Sequence, residues 1–204
     1  MLIDLTHPLD ETTPGYPGDP VLSLAKIRTL ERDGFTAYQI NAGLHTGTHI
    51  DLPMHLTGDT RFARDFEPDC FAGPGLLLDV RGEDTITLKR HYIDAVPASG
   101  IVLLYTGHDK QYGTEEYFSS HPAISRELVD FFVEKRVKML GMDMPSPDRP
   151  PYILHRALLS GGIFLLENLT NLCNVPLTAP FEVVALPLKL AAEASFVRAV
   201  CRIL

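Results

Sequence analysis

The chain has 204 residues, 45% hydrophobic and 22% charged, a balance that belongs to globular proteins and excludes disordered, collagen-like and disulfide-scaffold classes. A chain of this length removes about 70% of its extended surface from water on folding, enough for one complete core. Eighteen basic residues against 26 acidic ones leave a net charge of −8, which opposes binding to nucleic-acid backbones and anionic membranes.

A strand-like start at residues 2–6 leads into Pro8–Pro20, where four prolines and two glycines deny the backbone a regular ladder and predict an ordered loop or flap. Residues 21–28 and 35–44 alternate as strands around Arg32-Asp33-Gly34, a hairpin turn. Apolar runs at 75–80, 101–105, 137–143, 162–167 and 181–188 have the length of strands buried on both faces. Helical patterns fall at 88–95 and at 125–136, the latter opened by Ser125. A third helix carries His155: Pro151 suits its first turn, Ile153, Leu154, Ala157 and Leu158 form its apolar stripe, and Gly161-Gly162 ends it. No repeat or linker divides residues 1–204, so the expectation is one α/β domain with a mixed sheet and few helices.

Cys70, Cys173 and Cys201 are widely spaced, without a C-x-x-C pair, and read as reduced thiols. The opening Met1-Leu2-Ile3-Asp4-Leu5 lacks the basic and long apolar regions of an export signal, and no uncharged run reaches a membrane span; a cytoplasmic location is the expectation.

Residues 45–55 read His-Thr-Gly-Thr-His-Ile-Asp-Leu-Pro-Met-His, which gathers three of the eight histidines and an aspartate directly after a predicted strand. Imidazole nitrogen and carboxylate oxygen are ligands for zinc or manganese. Thr46, Gly47, Thr48, Ile50 and Pro53 oppose a helix here, so a turn must aim His45, His49 and Asp51 at one point. A single histidine is usually a packed or hydrogen-bonded residue; the cluster is what points to metal. His55 is either a fourth ligand or a free base. Glu167 closes the run Ile163-Phe164-Leu165-Leu166, where an unpaired carboxylate is costly to bury, so a metal or cationic partner is expected beside it. His7, His91 and His121 read as packing or surface residues. His108 reads as a possible pocket residue, and Asp143 as a possible second partner for a ligand histidine.

The motif H-T-G-T-H-x-D-x-P-x-H resembles the signature of the cyclase-type metal-dependent hydrolases. Asp4-Leu5-Thr6-His7-Pro8, Tyr16-Pro17-Gly18-Asp19, Gly141-Met142-Asp143-Met144-Pro145-Ser146 and Ala185-Leu186-Pro187-Leu188-Lys189 extend the resemblance over nearly the whole chain. It implies the swivelling β/α/β fold of that family and a two-metal site, most readily two zinc ions with manganese as the alternative. His45, His49 and Asp51 would hold one ion, Asp51 would bridge, and His155 with Glu167 would complete the second. It further implies His55 as the proton donor and acceptor, and hydrolysis of a small aryl formamide such as N-formylkynurenine to an arylamine and formate, with hydroxide supplied at the metal. A homodimer or larger homo-oligomer is part of the same implication. Formamidases of the family carry tryptophan where this chain has Tyr16, and the chain has no tryptophan. Tyr16 can still stack on an aryl ring, and other aryl formamides, cyclic imides and isatin-like lactams stay open as substrates. A rival reading is a metal-binding protein without turnover, in which His55 closes a structural site; a third is a redox manganese or iron enzyme.

Overall fold

The computed structural model describes residues 1–204. Its elements are β1 (Leu2–Asp4), β2 (Ser23–Arg28), α1 (Leu30–Asp33), β3 (Ala37–Asn41), β4 (His49–Asp51), β5 (Ala72–Asp79), β6 (Thr85–Ile86), α2 (Arg90–Ala95), β7 (Ile101–Tyr105), α3 (Glu115–Ser119), β8 (Ala123–Ile124), α4 (Arg126–Glu134), β9 (Met139–Met142), α5 (Ile153–Ser160), β10 (Phe164–Glu167), β11 (Phe181–Val184), β12 (Ala194–Phe196) and β13 (Val200–Ile203). Nine strands form one mixed sheet in the order β1-β13-β11-β5-β7-β9-β10-β4-β12. Strands β5, β7, β9 and β10 are parallel, and antiparallel strands flank them on both sides. This is the expected α/β architecture.

The apolar runs of the central strands are covered on both faces, and the carboxylates Asp79 and Glu167 stand only at the C-terminal ends of β5 and β10. On β7, Ile101, Leu103 and Tyr105 enter one core, and Val102 and Leu104 enter the other. The second core is roofed by α2, α4 and α5 through residues such as Tyr92, Leu128, Phe132, Leu158 and Leu159. The first is enclosed by the sheet itself. Strand β12 lies at one edge and β13 next to the other, yet only residues 197–199 join them. A flat sheet would separate these strands by about 34 Å, whereas the connection reaches at most about 14 Å. The sheet must curl, and Val183 and Cys201 from one end share a core with Ile50 and Val197 from the other.

Several boundaries differ from the sequence reading. Strand β1 stops at Asp4 and β11 at Val184; Leu186 and Leu188 are exposed, and the Leu188 N–H donates to Ser195 Oγ instead of a neighbouring strand. Strands β2 and β3 pair antiparallel as expected, but their connection is the single turn α1, closed by Gly34 at φ 76°. Helix α4 is capped by Ser125 Oγ, which accepts from Leu128 N–H. Helix α5 begins at Ile153, not Pro151, because Tyr152 takes φ 57°. Its expected stripe is also rotated: Ile153 is 59% exposed, and the buried face is His155, Leu158 and Leu159. The two N–H groups donated to Asp148 anchor that orientation. Helix α3 and strands β12 and β13 are too short to show a period in the sequence.

Of the histidines set aside as packing residues, His7 stacks on Tyr112 with ring centroids 3.7 Å apart, His91 is exposed on α2, and His121 is buried.

Gly75 pairs directly with Phe181 across β5 and β11, and a Cβ there would stand 2.1 Å from the Phe181 ring. Gly75→Ala is expected to cost about 1–3 kcal/mol, read as a lower urea midpoint at unchanged slope. Burial pushes His121 from 6.5 down to about 4. As pH falls through 6.5 the unfolded chain takes up this proton before the folded one, so stability falls progressively between about 6.5 and 4. Urea titrations across that window are expected to show this loss in the parent chain and a shallower loss in His121→Asn.

Candidate metal centre

Alternation along β4 sends Ile50 into the sheet-enclosed core and leaves His49 and Asp51 together on the opposite face. Strand β10 runs antiparallel beside β4 with Glu167 directly across from His49. On the same face, α5 brings His155 down onto the pair. The turn before β4 requires Gly47, which has φ 65° and whose Cβ would meet Leu9 Cδ2 at 2.5 Å. That turn returns His45 over the strand it precedes.

The result is one cluster. His45 Nδ1 lies 2.7 Å and His49 Nε2 3.3 Å from Asp51 Oδ1. His155 Nε2 lies 3.1 Å and His55 Nε2 3.9 Å from Asp51 Oδ2. Glu167 Oε2 is 3.5 Å from His49 Nε2, and Oε1 is 3.8 Å from His155 Nδ1. All six residues singled out around the motif, the helix and the strand end therefore converge. His49, Asp51, His155 and Glu167 are buried, while His55 keeps 28% of its side chain exposed.

Three buried atoms here have no hydrogen bond: His49 Nε2, Asp51 Oδ1 and Glu167 Oε1. His45 Nδ1 is close to Asp51 Oδ1 without hydrogen-bond alignment. Ligands about 2.0–2.1 Å from a tetrahedral ion stand about 3.3 Å apart, and His49 Nε2 lies 3.3 Å from Asp51 and 3.5 Å from Glu167, at and just above that value. The donor set of imidazoles and carboxylates, with its unpaired atoms turned inward, fits a divalent ion of the zinc and manganese type. His45, His49 and Asp51 can share one ion, as can Asp51, His55 and His155.

The surroundings prepare the donors. His49 Nδ1 donates to Gly47 C=O at 2.9 Å, which turns Nε2 toward the cluster. Asn168 Nδ2 donates to the same carbonyl at 2.8 Å, and the Tyr117 hydroxyl holds Asn168 Oδ1. Ser146 Oγ lies 3.3 Å from His155 Nδ1. Burial works against the charge on Asp51, but His45, His49 and the hydrogen bond from His155 outweigh it and hold the carboxyl well below its usual range. Glu167 goes the opposite way, pushed well above by burial and by the Asp51 charge. Burial likewise opposes a charged His45, yet Asp51 and Glu193 lift it to about 9. His55 is pushed down to about 4, chiefly by burial, with the nearby His45 and His155 pushing the same way against the opposing pull of Asp51.

Beside the cluster opens a cavity of about 350 Å³ whose far wall is Tyr16, Tyr112, Phe118 and Tyr152. Tyr16, from the proline-rich loop, sets its hydroxyl 2.7 Å from that of Tyr152 and its ring edge-on to Phe118. Two sequence expectations fail here. Asp143 supports no histidine of the cluster; its carboxylate accepts from Thr106 N–H, Thr106 Oγ and Gly107 N–H, because the end of β9 sits beside the loop after β7. His108 lies outside the cavity, stacked on Tyr117, with Nε2 on the Tyr117 carbonyl. Sequence reasoning passes over Glu193, Asp148, Tyr152 and Asn168, and reaches Ser146 only as the end of Gly141-Met142-Asp143-Met144-Pro145-Ser146. Asn168 is adjacent to Glu167, and Tyr152 to Pro151.

The sequence matches the family described as Cyclase, "Putative cyclase", over residues 3–149. The chain belongs to the Cyclase family. That match includes the motif from His45 to His55, while His155 and Glu167 lie beyond it. A kynurenine formamidase of Bacillus cereus is 30% identical over 205 residues, covering 98% of this chain and 96% of the relative. A solved structure described as a potential metal-dependent hydrolase with cyclase activity has a TM-score of 0.79 at 25% identity, covering 98% of this chain and 96% of its own. Isatin hydrolase A from Labrenzia aggregata, bound to benzyl benzoate, has the same fold, with a TM-score of 0.88 at 24% identity over 100% of this chain and 93% of its own. This Cyclase-family chain is a hydrolase.

Asp148 takes the N–H groups of Leu154 and His155 at 2.7 and 3.3 Å. Asp148→Ala is expected to lower stability by about 0.5–2 kcal/mol, the worth of a helix cap, measured by urea unfolding.

Proposed function

We propose that the chain is a metal-dependent amide hydrolase that cleaves aryl formamides, N-formylkynurenine foremost, to an arylamine and formate. The observation that carries this reading is the convergence of His45, His49, Asp51, His155 and Glu167, with three buried atoms lacking a hydrogen-bond partner, beside an aromatic cavity. In this reading those five residues hold the divalent metal, zinc or manganese, and Asp51 reaches both halves of the cluster through its two oxygens. When bound, the metal lowers the pKa of a coordinated water toward 7 and polarises the amide carbonyl.

His55 faces the cluster and the cavity at once. Held near 4 by burial, its imidazole is neutral at pH 7 and free to accept the proton released as water adds to the formyl carbon. It then delivers that proton to the amide nitrogen as the C–N bond breaks, so the amine leaves neutral. Tyr16 and Phe118 provide the stacking surface for the aryl ring, and the cavity volume falls within the roughly 300–1,000 Å³ usual for small-molecule sites. A reading in which the ligands merely close a structural site is disfavoured by that cavity and by the exposed edge of His55. The Tyr16 position supports a second substrate reading, a cyclic amide of the isatin type, because a phenol tied to Tyr152 makes this wall more polar than an indole would.

The test is metal analysis combined with hydrolysis assays on N-formylkynurenine, N-formylaniline and isatin. Turnover of the formamides that is abolished by chelation and restored by zinc or manganese is expected; turnover of isatin alone would move the substrate to the cyclic class. His55→Ala is expected to lower kcat by about 10²–10⁴-fold with metal content retained, whereas His49→Ala and Asp51→Ala lose metal and activity together. An unchanged rate in His55→Ala would remove it from the proton-transfer role.

A further inference from the structure

We infer that Glu193 is a positioning residue for His45, setting which imidazole nitrogen is presented to the metal and how strongly. This rests on the metal reading proposed above. His45 offers its two ring nitrogens to two carboxylates on opposite sides: Nδ1 is 2.7 Å from Asp51 Oδ1, and Nε2 is 3.3 Å from Glu193 Oε1. The Glu193 contact has hydrogen-bond geometry, and the Asp51 contact does not. With the proton on Nε2 donated to Glu193, the Nδ1 lone pair turns toward the buried cluster. A carboxylate on the outer nitrogen also makes the inner one a stronger donor.

The placement of Glu193 belongs to the sheet. Strand β12 pairs with β4 so that Ala194 stands opposite Asp51 and Phe196 opposite His49. The Glu193 carbonyl accepts from Leu52 N–H at 3.0 Å, one residue past that ladder. The backbone of Glu193 is thereby locked to the strand that carries the ligands, and only its side chain chooses a partner. That side chain is 37% exposed and has His45 as its ion-pair partner. His45 is the one cluster histidine that precedes β4, held by a turn and not by a strand or helix. His49 has the Gly47 carbonyl and His155 has Ser146 within reach of the other nitrogen; Glu193 fills the corresponding role for His45.

The experiment titrates the metal-stripped full chain with zinc against a competing chelator, and follows thermal unfolding of the same metal-free samples. Glu193→Ala is expected to weaken zinc binding by about 10–100-fold with the metal-free Tm unchanged. Glu193→Gln, which keeps an acceptor oxygen without the charge, is expected to fall between Glu193→Ala and the parent. In a His45→Ala background, Glu193→Ala is expected to have no further effect on zinc affinity. Zinc affinity within twofold of the parent in Glu193→Ala overturns the inference, as does a parallel drop in the metal-free Tm, which would mark a merely structural contact. A parent chain that takes up no zinc overturns the metal reading itself, a result distinct from equal binding by parent and variant.

Discussion

Two carboxylates buried side by side, with no lysine or arginine paired to either, are the constraint around which this molecule is organised. Asp51 and Glu167 have only histidines as ion-pair partners. Removing such charges from water costs several kcal/mol each unless they are compensated. Imidazoles draw Asp51 toward its ionised form, while burial and the Asp51 charge push Glu167 toward its protonated one, which is how a close pair of acids relieves mutual repulsion. A divalent ion would resolve the same conflict by supplying positive charge where the unpaired oxygens and the His49 nitrogen already point. The stability sacrificed in assembling such a site is an expected cost of function, since preorganised charge is what a hydrolytic transition state requires.

The curl of the sheet makes that assembly possible. Because β12 must return to β13 through three residues, the β4–β12 edge folds over toward the opposite end of the sheet. This leaves one sheet face to an internal core and reserves the other for helices. The face of β4 that carries His49 and Asp51 therefore looks toward α5, and His155 meets Asp51 across a gap that Leu158 and Leu159 hold closed by packing. The cavity occupies the open end of this layer, walled by the proline-rich loop that has no ladder of its own to join.

How much of this was legible beforehand depended on the range over which each signal acts. The five long apolar runs predicted the central strands because buried strands repeat over several residues, and Ser125 marked the start of α4 by a local hydrogen bond. Residues 45–55 announced a site because its donors are adjacent in sequence, and Glu167 was suspected because a carboxylate ending an apolar strand needs compensation. Asp143, read as a possible second partner for a ligand histidine, instead accepts from the loop at Thr106 and Gly107, a contact that no spacing reveals.

Composition, periodicity and the His-Asp motif were thus sufficient for the α/β class, the family resemblance and the chemical nature of the donors, since each is a property of neighbouring residues. The convergence of those donors was decided by tertiary structure alone. The register that sets Glu167 across from His49, the rotation of α5 that buries His155 and exposes Ile153, and the ladder that lays Glu193 against His45 all depend on contacts between segments up to 148 residues apart. Such contacts leave no local trace, because pairing free energy is determined by which strand edges meet in space.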